Sequence, residues 1–146
     1  MIDRKWIGHV SAPSELALDR GRLRFFAEAI GETDPVYTDV EVAQAAGYAD
    51  LPAPPTFLFA AEMDSGAVMQ TLTDLGIPLA RLLHGEQGFT YHKPACAGDV
   101  ITVVSRIADI YDKKGGALEF VVKQAEARNQ AGELVAELRT SFVCRN

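Results

Sequence analysis

Along the first part of the chain, apolar residues recur at helical spacing. Leu23, Phe26, Ala27 and Ile30 share one face of a segment from Arg20 to Ile30, with Arg20, Arg22, Arg24 and Glu28 more polar. Asp19 is placed to cap its start and Gly31 to close it. Pro35 then forbids continuation, because it has no N–H and pushes Asp34 toward extended backbone. A second short helix, capped by Thr38 or Asp39, is predicted from Val40 to Ala46 and stopped by Gly47. Three prolines between Ala49 and Pro55 predict an ordered loop. The run Thr56 to Met63 is apolar nearly all round, the pattern of a short buried helix. Val68, Met69, Leu72 and Leu75 fit one more amphipathic helix within Ser65 to Leu79, ended by Gly76 and Pro78. Ahead of all these, Trp6 to Ser11 reads as a brief strand that Pro13 and Ser14 break.

From Leu82 onward the period changes to two. Gln87 to His92 alternates up to Lys93-Pro94, and Val100 to Tyr111 is rich in β-branched residues. Gly115-Gly116 turns the chain into Ala117 to Arg128, where Leu118, Phe120 and Val122 face one way. Asn129 to Gly132 turns it again, and Leu134, Ala136, Leu138, Thr140 and Phe142 share one face of Leu134 to Cys144. Helices first, one buried apolar helix, then an antiparallel meander make an α+β chain with a sheet around a helix.

Composition narrows this picture. A chain of 146 residues suits a single domain, 1–146, with one core. The net charge of −6 argues against a general nucleic-acid or anionic-membrane surface. No apolar run approaches a membrane span, and Met1 to Ser11 lacks the apolar core of a signal peptide. Cys96 and Cys144 lie far apart with no metal-ligand spacing, which fits two buried thiols in a reducing cytoplasm. No metal, flavin or nicotinamide signature is present.

Four segments in order carry more. Gly31-Glu32-Thr33-Asp34-Pro35-Val36-Tyr37-Thr38-Asp39, Ala45-Ala46-Gly47-Tyr48, Ala53-Pro54-Pro55-Thr56-Phe57 and the stretch Leu83 to Asp99 resemble the MaoC-like dehydratases. The likeness covers nearly the whole chain and is nearest to the N-terminal, FAS1-like dehydratase branch. That branch includes the non-catalytic subunits of (3R)-hydroxyacyl-thioester dehydratases. The resemblance implies a hot-dog fold with a helical overhang and two such domains paired edge to edge. It implies a place in fatty acid metabolism, as an R-specific enoyl-CoA hydratase or dehydratase (a lyase) acting on acyl-CoA or acyl carrier protein thioesters, with no further cofactor. Pro55, Thr56 and Phe57 would then border the substrate, and His92 and Lys93 either meet a coenzyme A phosphate or simply mark an exposed strand end.

The chemistry of the family needs a carboxylate to activate water, an imidazole to share the proton traffic and an N–H to receive the thioester oxygen. Its active pattern on the overhang is Gly-Asp-x-Asn-Pro-x-His, with a Gly near the central helix supplying the N–H. Here Glu32 replaces the Asp, Asp34 the Asn and Tyr37 the His, while Pro54-Pro55 stands at the helix mouth. A phenol of pKa about 10 is a poor proton shuttle at neutral pH, and proline has no N–H, although the Thr56 and Phe57 amides lie nearby.

Several residues admit two readings. Glu32 and Asp34 make either a general base or a solvated turn in which Asp34 accepts backbone N–H groups. Tyr37 is either an acid or a packed aromatic. His84 either stands in for the missing imidazole or ties down its loop. Glu62 and Asp64 would be the acids of a thioesterase, although at the end of an apolar helix they are expected to face solvent. Three functions follow: a thioester-binding subunit whose partner keeps the Asp and His, a self-sufficient homodimeric hydratase using Glu32, Tyr37 or His84, or an acyl-CoA thioesterase.

Overall fold

Between Met1 and Ser11 the computed structural model, which describes residues 1–146, contains no strand. Asp3 caps a single 3-10 turn over Arg4–Trp6, and Val10 makes only an isolated bridge to Arg106. The strand lies just beyond, where a break was expected: β1 (Ser14–Ala17) pairs antiparallel with Val100 to Val103. Four residues are too few for alternation to be legible. The partner strand and the burial of Ser14 and Leu16 define β1 instead.

The helices begin where their caps are. In α1 (Arg20–Ala29) the Asp19 carboxylate accepts from the Gly21 and Arg22 amides, and Gly31 beyond its end adopts a φ of 75°. Asp39 caps α2 (Val40–Ala45) through the Glu41 and Val42 amides. The central helical run is a 3-10 turn, Phe57–Phe59, continuing into α3 (Ala60–Asp64). It is buried on one side, through Phe57, Leu58, Ala61 and Glu62, whereas Met63 is 50% exposed. Gly66, at a φ of 76°, then separates it from α4 (Ala67–Asp74), which is shorter than the sequence pattern.

Four long strands follow: β2 (Leu82–Tyr91), β3 (Val100–Lys113), β4 (Leu118–Arg128) and β5 (Leu134–Arg145). With β1 they form one antiparallel sheet in the order β1-β3-β4-β5-β2. The face of β4 turned toward the helices carries Val121, Lys123, Ala125 and Ala127, so Leu118, Phe120 and Val122 lie on the outer face. The interior is in two parts. The larger gathers Leu23, Leu51, Phe57, Leu58, Ile101 and Leu138, and the smaller packs α4 against Ile107, Val121 and Phe142. Cys96 and Cys144 are both unpaired and buried, and burial pushes both thiols up. No helix is long and apolar enough to cross a membrane.

Candidate site on the helical overhang

The overhang is built by its own carboxylates. As the chain leaves α1, the Glu32 amide donates to Ala27 O at 2.9 Å. The Glu32 side chain folds back, and its Oε1 accepts from the Thr33 and Asp34 amides at 2.9 and 3.0 Å. Asp34 Oδ1 in turn accepts from the Val36 amide at 3.0 Å and caps a 3-10 turn, Pro35–Tyr37. Proline suits the first position of that turn because the missing N–H has no intrahelical partner there. Both carboxylates therefore serve the backbone that carries them.

Tyr37 emerges from this turn into a cavity of about 430 Å³, lined also by Tyr48, Tyr91, Pro52, Pro55 and the segment His92 to Ala95. Burial raises the Tyr37 phenol above its ordinary pKa, helped by the charge of Glu32, by Tyr48 and by Asp34. Burial raises Tyr91 further, with Tyr37 adding to it. The Tyr91 hydroxyl donates to Pro55 O at 2.8 Å, tying β2 to the mouth of the helical run. At that mouth Pro54 is buried, the Phe57 amide is spent on Pro54 O at 2.9 Å, and Thr56 is exposed. His92 Nε2 lies 2.9 Å from Glu137 Oε2, and Lys93 is paired with Glu133. Each basic group beside the cavity thus already faces a carboxylate. No three His, Cys, Asp or Glu side chains converge as a metal site would require.

His84 is not brought to this cavity. It sits near the other end of β2, roughly 20 Å along the strand from Tyr91. Its ring packs between Phe59 and Phe142, with centroids 5.0 and 5.3 Å away, and its Nε2 meets Gln87 Oε1 at 3.1 Å. Glu32, Asp34 and Tyr37 share the overhang, and the imidazole on the cavity wall is that of His92, engaged by Glu137.

Residues 5–138 match the family model of the FAS1-like, dehydratase domain region. The chain belongs to the FAS1-like dehydratase family. It is 39% identical over 145 residues to a UPF0336 protein of Streptomyces avermitilis, covering 99% of this chain and 95% of that one. Its fold is similar to the HadBC (3R-hydroxyacyl-ACP dehydratase) complex of Mycobacterium tuberculosis, with a TM-score of 0.79 and 26% identity over 94% of this chain and 96% of that one. The ChsH1-ChsH2 complex of Mycobacterium tuberculosis shares the fold at a TM-score of 0.68 and 22% identity, over 95% of this chain and 98% of that one. The five-stranded sheet laid around a short helix is the hot-dog fold.

In this FAS1-like domain the two acids of the central helix part company, and the expectation that both face solvent fails for one. Glu62 points inward and its Oε1 takes a hydrogen bond from Lys123 Nζ at 2.6 Å, with the two side chains only 2% and 3% exposed. Asp64 points outward and pairs with Arg22 at 2.9 Å, a contact that holds its carboxyl below the usual range. Lys123, Gln87, Thr140, Tyr48 and Tyr91 were not singled out from the sequence. A lysine in the apolar register of β4, between Val121 and Ala125, was the available signal for the first.

Proposed function

We propose that this FAS1-like chain is the acyl-thioester-binding subunit of an R-specific hydratase or dehydratase, holding an enoyl or 3-hydroxyacyl group for a catalytic partner. The observation that carries the reading is the engagement of Glu32 Oε1 by two amides of its own turn. A general base must aim a carboxylate oxygen at water within hydrogen-bond reach, and here Oε1 is committed to backbone, which fixes the carboxylate against its own turn and leaves Oε2 alone for any other contact. Two further features support it. Tyr37, where the family has its imidazole, keeps its proton at neutral pH, its phenol being raised by burial. Pro54 and Pro55, at the helix mouth, have no N–H for the thioester oxygen. The tyrosine-lined cavity remains as a place to bind a thioester of coenzyme A or acyl carrier protein. The partner reading draws on β2, an unpaired sheet edge ten residues long, and on two structural neighbours that are each complexes of two named proteins. An edge of that length calls for cover.

The test is hydration of a short and a long trans-2-enoyl-CoA by the purified chain, followed at the enoyl absorbance. The expected result is no hydration by the chain alone, saturable acyl-CoA binding, and hydration once a catalytic chain carrying the Asp and His is added. Hydration by the chain alone, abolished by Glu32→Gln, would overturn the reading.

A further inference from the structure

Polar side chains separate the two apolar clusters of the interior. Across the inner face of the sheet, Lys123, Thr140 and Gln87 stand in one cross-strand row. The row Ala125, Leu138 and Phe89 flanks it on the side of the larger cluster, and Val121, Phe142 and His84 on the side of the smaller. Glu62 reaches this row from α3 through its ion pair with Lys123. A buried belt of this kind is costly unless each donor and acceptor is matched.

One atom is left over. Gln87 Oε1 accepts the Thr140 hydroxyl at 2.7 Å and meets His84 Nε2 at 3.1 Å. A carbonyl oxygen only accepts, so in this arrangement His84 carries its proton on Nε2. The Gln87 amide nitrogen, cut off from solvent, has no partner.

Gln87 also occupies a particular place. Contacts between β2 and the helical run include the Tyr91 hydroxyl on Pro55 O and the His84 ring on Phe59. Between these contacts Gln87 and Phe89 stand half-buried on the unpaired edge strand, and Phe59 and Ala60 of the helical run are half-buried as well. Tyr91 lines the tyrosine cavity, and Gln87 lies on the same face of β2 four residues away, roughly 13 Å.

We propose that Gln87 is the receptor for a hydroxyl group on the acyl chain, which enters at the cavity, follows this face of β2 past Phe89 and meets the polar belt at that depth. A hydroxyl satisfies the amide in either orientation, accepting from Nε2 or donating to Oε1. A plain alkyl chain of the same reach leaves the buried amide unpaired. The inference deepens the acyl-thioester reading and rests on it.

The experiment titrates the full chain with a homologous series of ω-hydroxyacyl-CoAs and their unsubstituted counterparts of equal length, read by calorimetry. At one chain length the hydroxylated thioester is expected to bind about tenfold tighter than its plain counterpart, the effect of one buried hydrogen bond. Shorter and longer members show no such preference. In Gln87→Met, which keeps the length of the side chain without its polar atoms, the ratio of hydroxylated to plain affinity falls to about one at every length. Equal binding of hydroxylated and plain thioesters at every length overturns the proposal and leaves the acyl-thioester reading standing. Absence of binding to any acyl-CoA removes both. The wild-type series needs no variant, so the outcome does not depend on how Gln87→Met folds.

Discussion

Replacing Lys123 by Met tests the interior of this molecule at its most exposed assumption. The Glu62–Lys123 pair joins α3 to the middle of the sheet at 2.6 Å, with side chains 2% and 3% exposed. Water does not screen such a pair, and its net worth is small because desolvation offsets attraction. Removing one partner is another matter. Met fills much of the lysine volume but leaves the Glu62 carboxylate buried opposite a thioether, and breaking a buried pair in this way costs about 3–5 kcal/mol. The lysine also lies 6.0 Å from the Phe142 ring, whose loss adds about 0.5–1 kcal/mol. For a chain of this size the single substitution should lower Tm by on the order of 10–20 °C. The double variant Glu62→Met, Lys123→Met buries no charge and should return to within about 1 kcal/mol of the parent, or exceed it. Urea denaturation of the parent, both singles and the double, at one low protein concentration, gives the coupling directly. If Lys123→Met loses less than about 1 kcal/mol, or the double is worse than either single, the pair is not buried as described.

Two further substitutions probe the edge strand. Gly85 lies in the bulge of β2, where an added Cβ would sit 2.9 Å from Val143 Cγ2 and 3.2 Å from Ser141 O. Gly85→Ala should therefore cost about 1–3 kcal/mol, and an unchanged urea midpoint would contradict that close approach. Tyr91 and Tyr37 bear on alkaline stability. Both phenols are raised in the folded chain, so above pH about 10 the unfolded state releases protons that the folded state retains, and stability falls as pH rises. Tyr91→Phe should flatten that fall above about pH 10, while costing about 1 kcal/mol at neutral pH for the lost bond to Pro55; identical slopes would argue against the buried phenol.

What was legible in the sequence is what local chemistry decides. Asp19 and Asp39 cap the helices they precede, Gly31 turns the chain at positive φ, and the meander from Val100 to Arg145 follows its alternation and its glycine turns. What was not legible depends on partners far away in the chain. β1 is a strand because β3 lies beside it, and its first residue, Ser14, shares a hydrogen bond with Ser65 rather than announcing a period. Glu62 looked like a surface acid because its counter-ion is 61 residues further on. The belt around Gln87 was hidden for the same reason, since its members come from α3 and three strands that only the sheet order makes adjacent. The altered overhang was readable residue by residue. That Glu32 would turn back onto its own backbone was not.

The two margins of the sheet are finished differently, and this sets how many neighbours the molecule can take along its strands. Beyond the four residues of β1, the upper part of β3 is covered by the first residues of the chain: the Gly8 amide donates to Ile107 O, the Ser11 amide to Ser105 O, and the Ile107 amide to His9 O. The covering segment is irregular and offers no ladder of its own. At the other margin β2 stands with its outer row of amides and carbonyls unclaimed. Strand addition is therefore lopsided. A second sheet docking on β2 uses up the one long margin, and the four residues of β1 offer little ladder for a further union, so the first union disfavours growth into a ribbon.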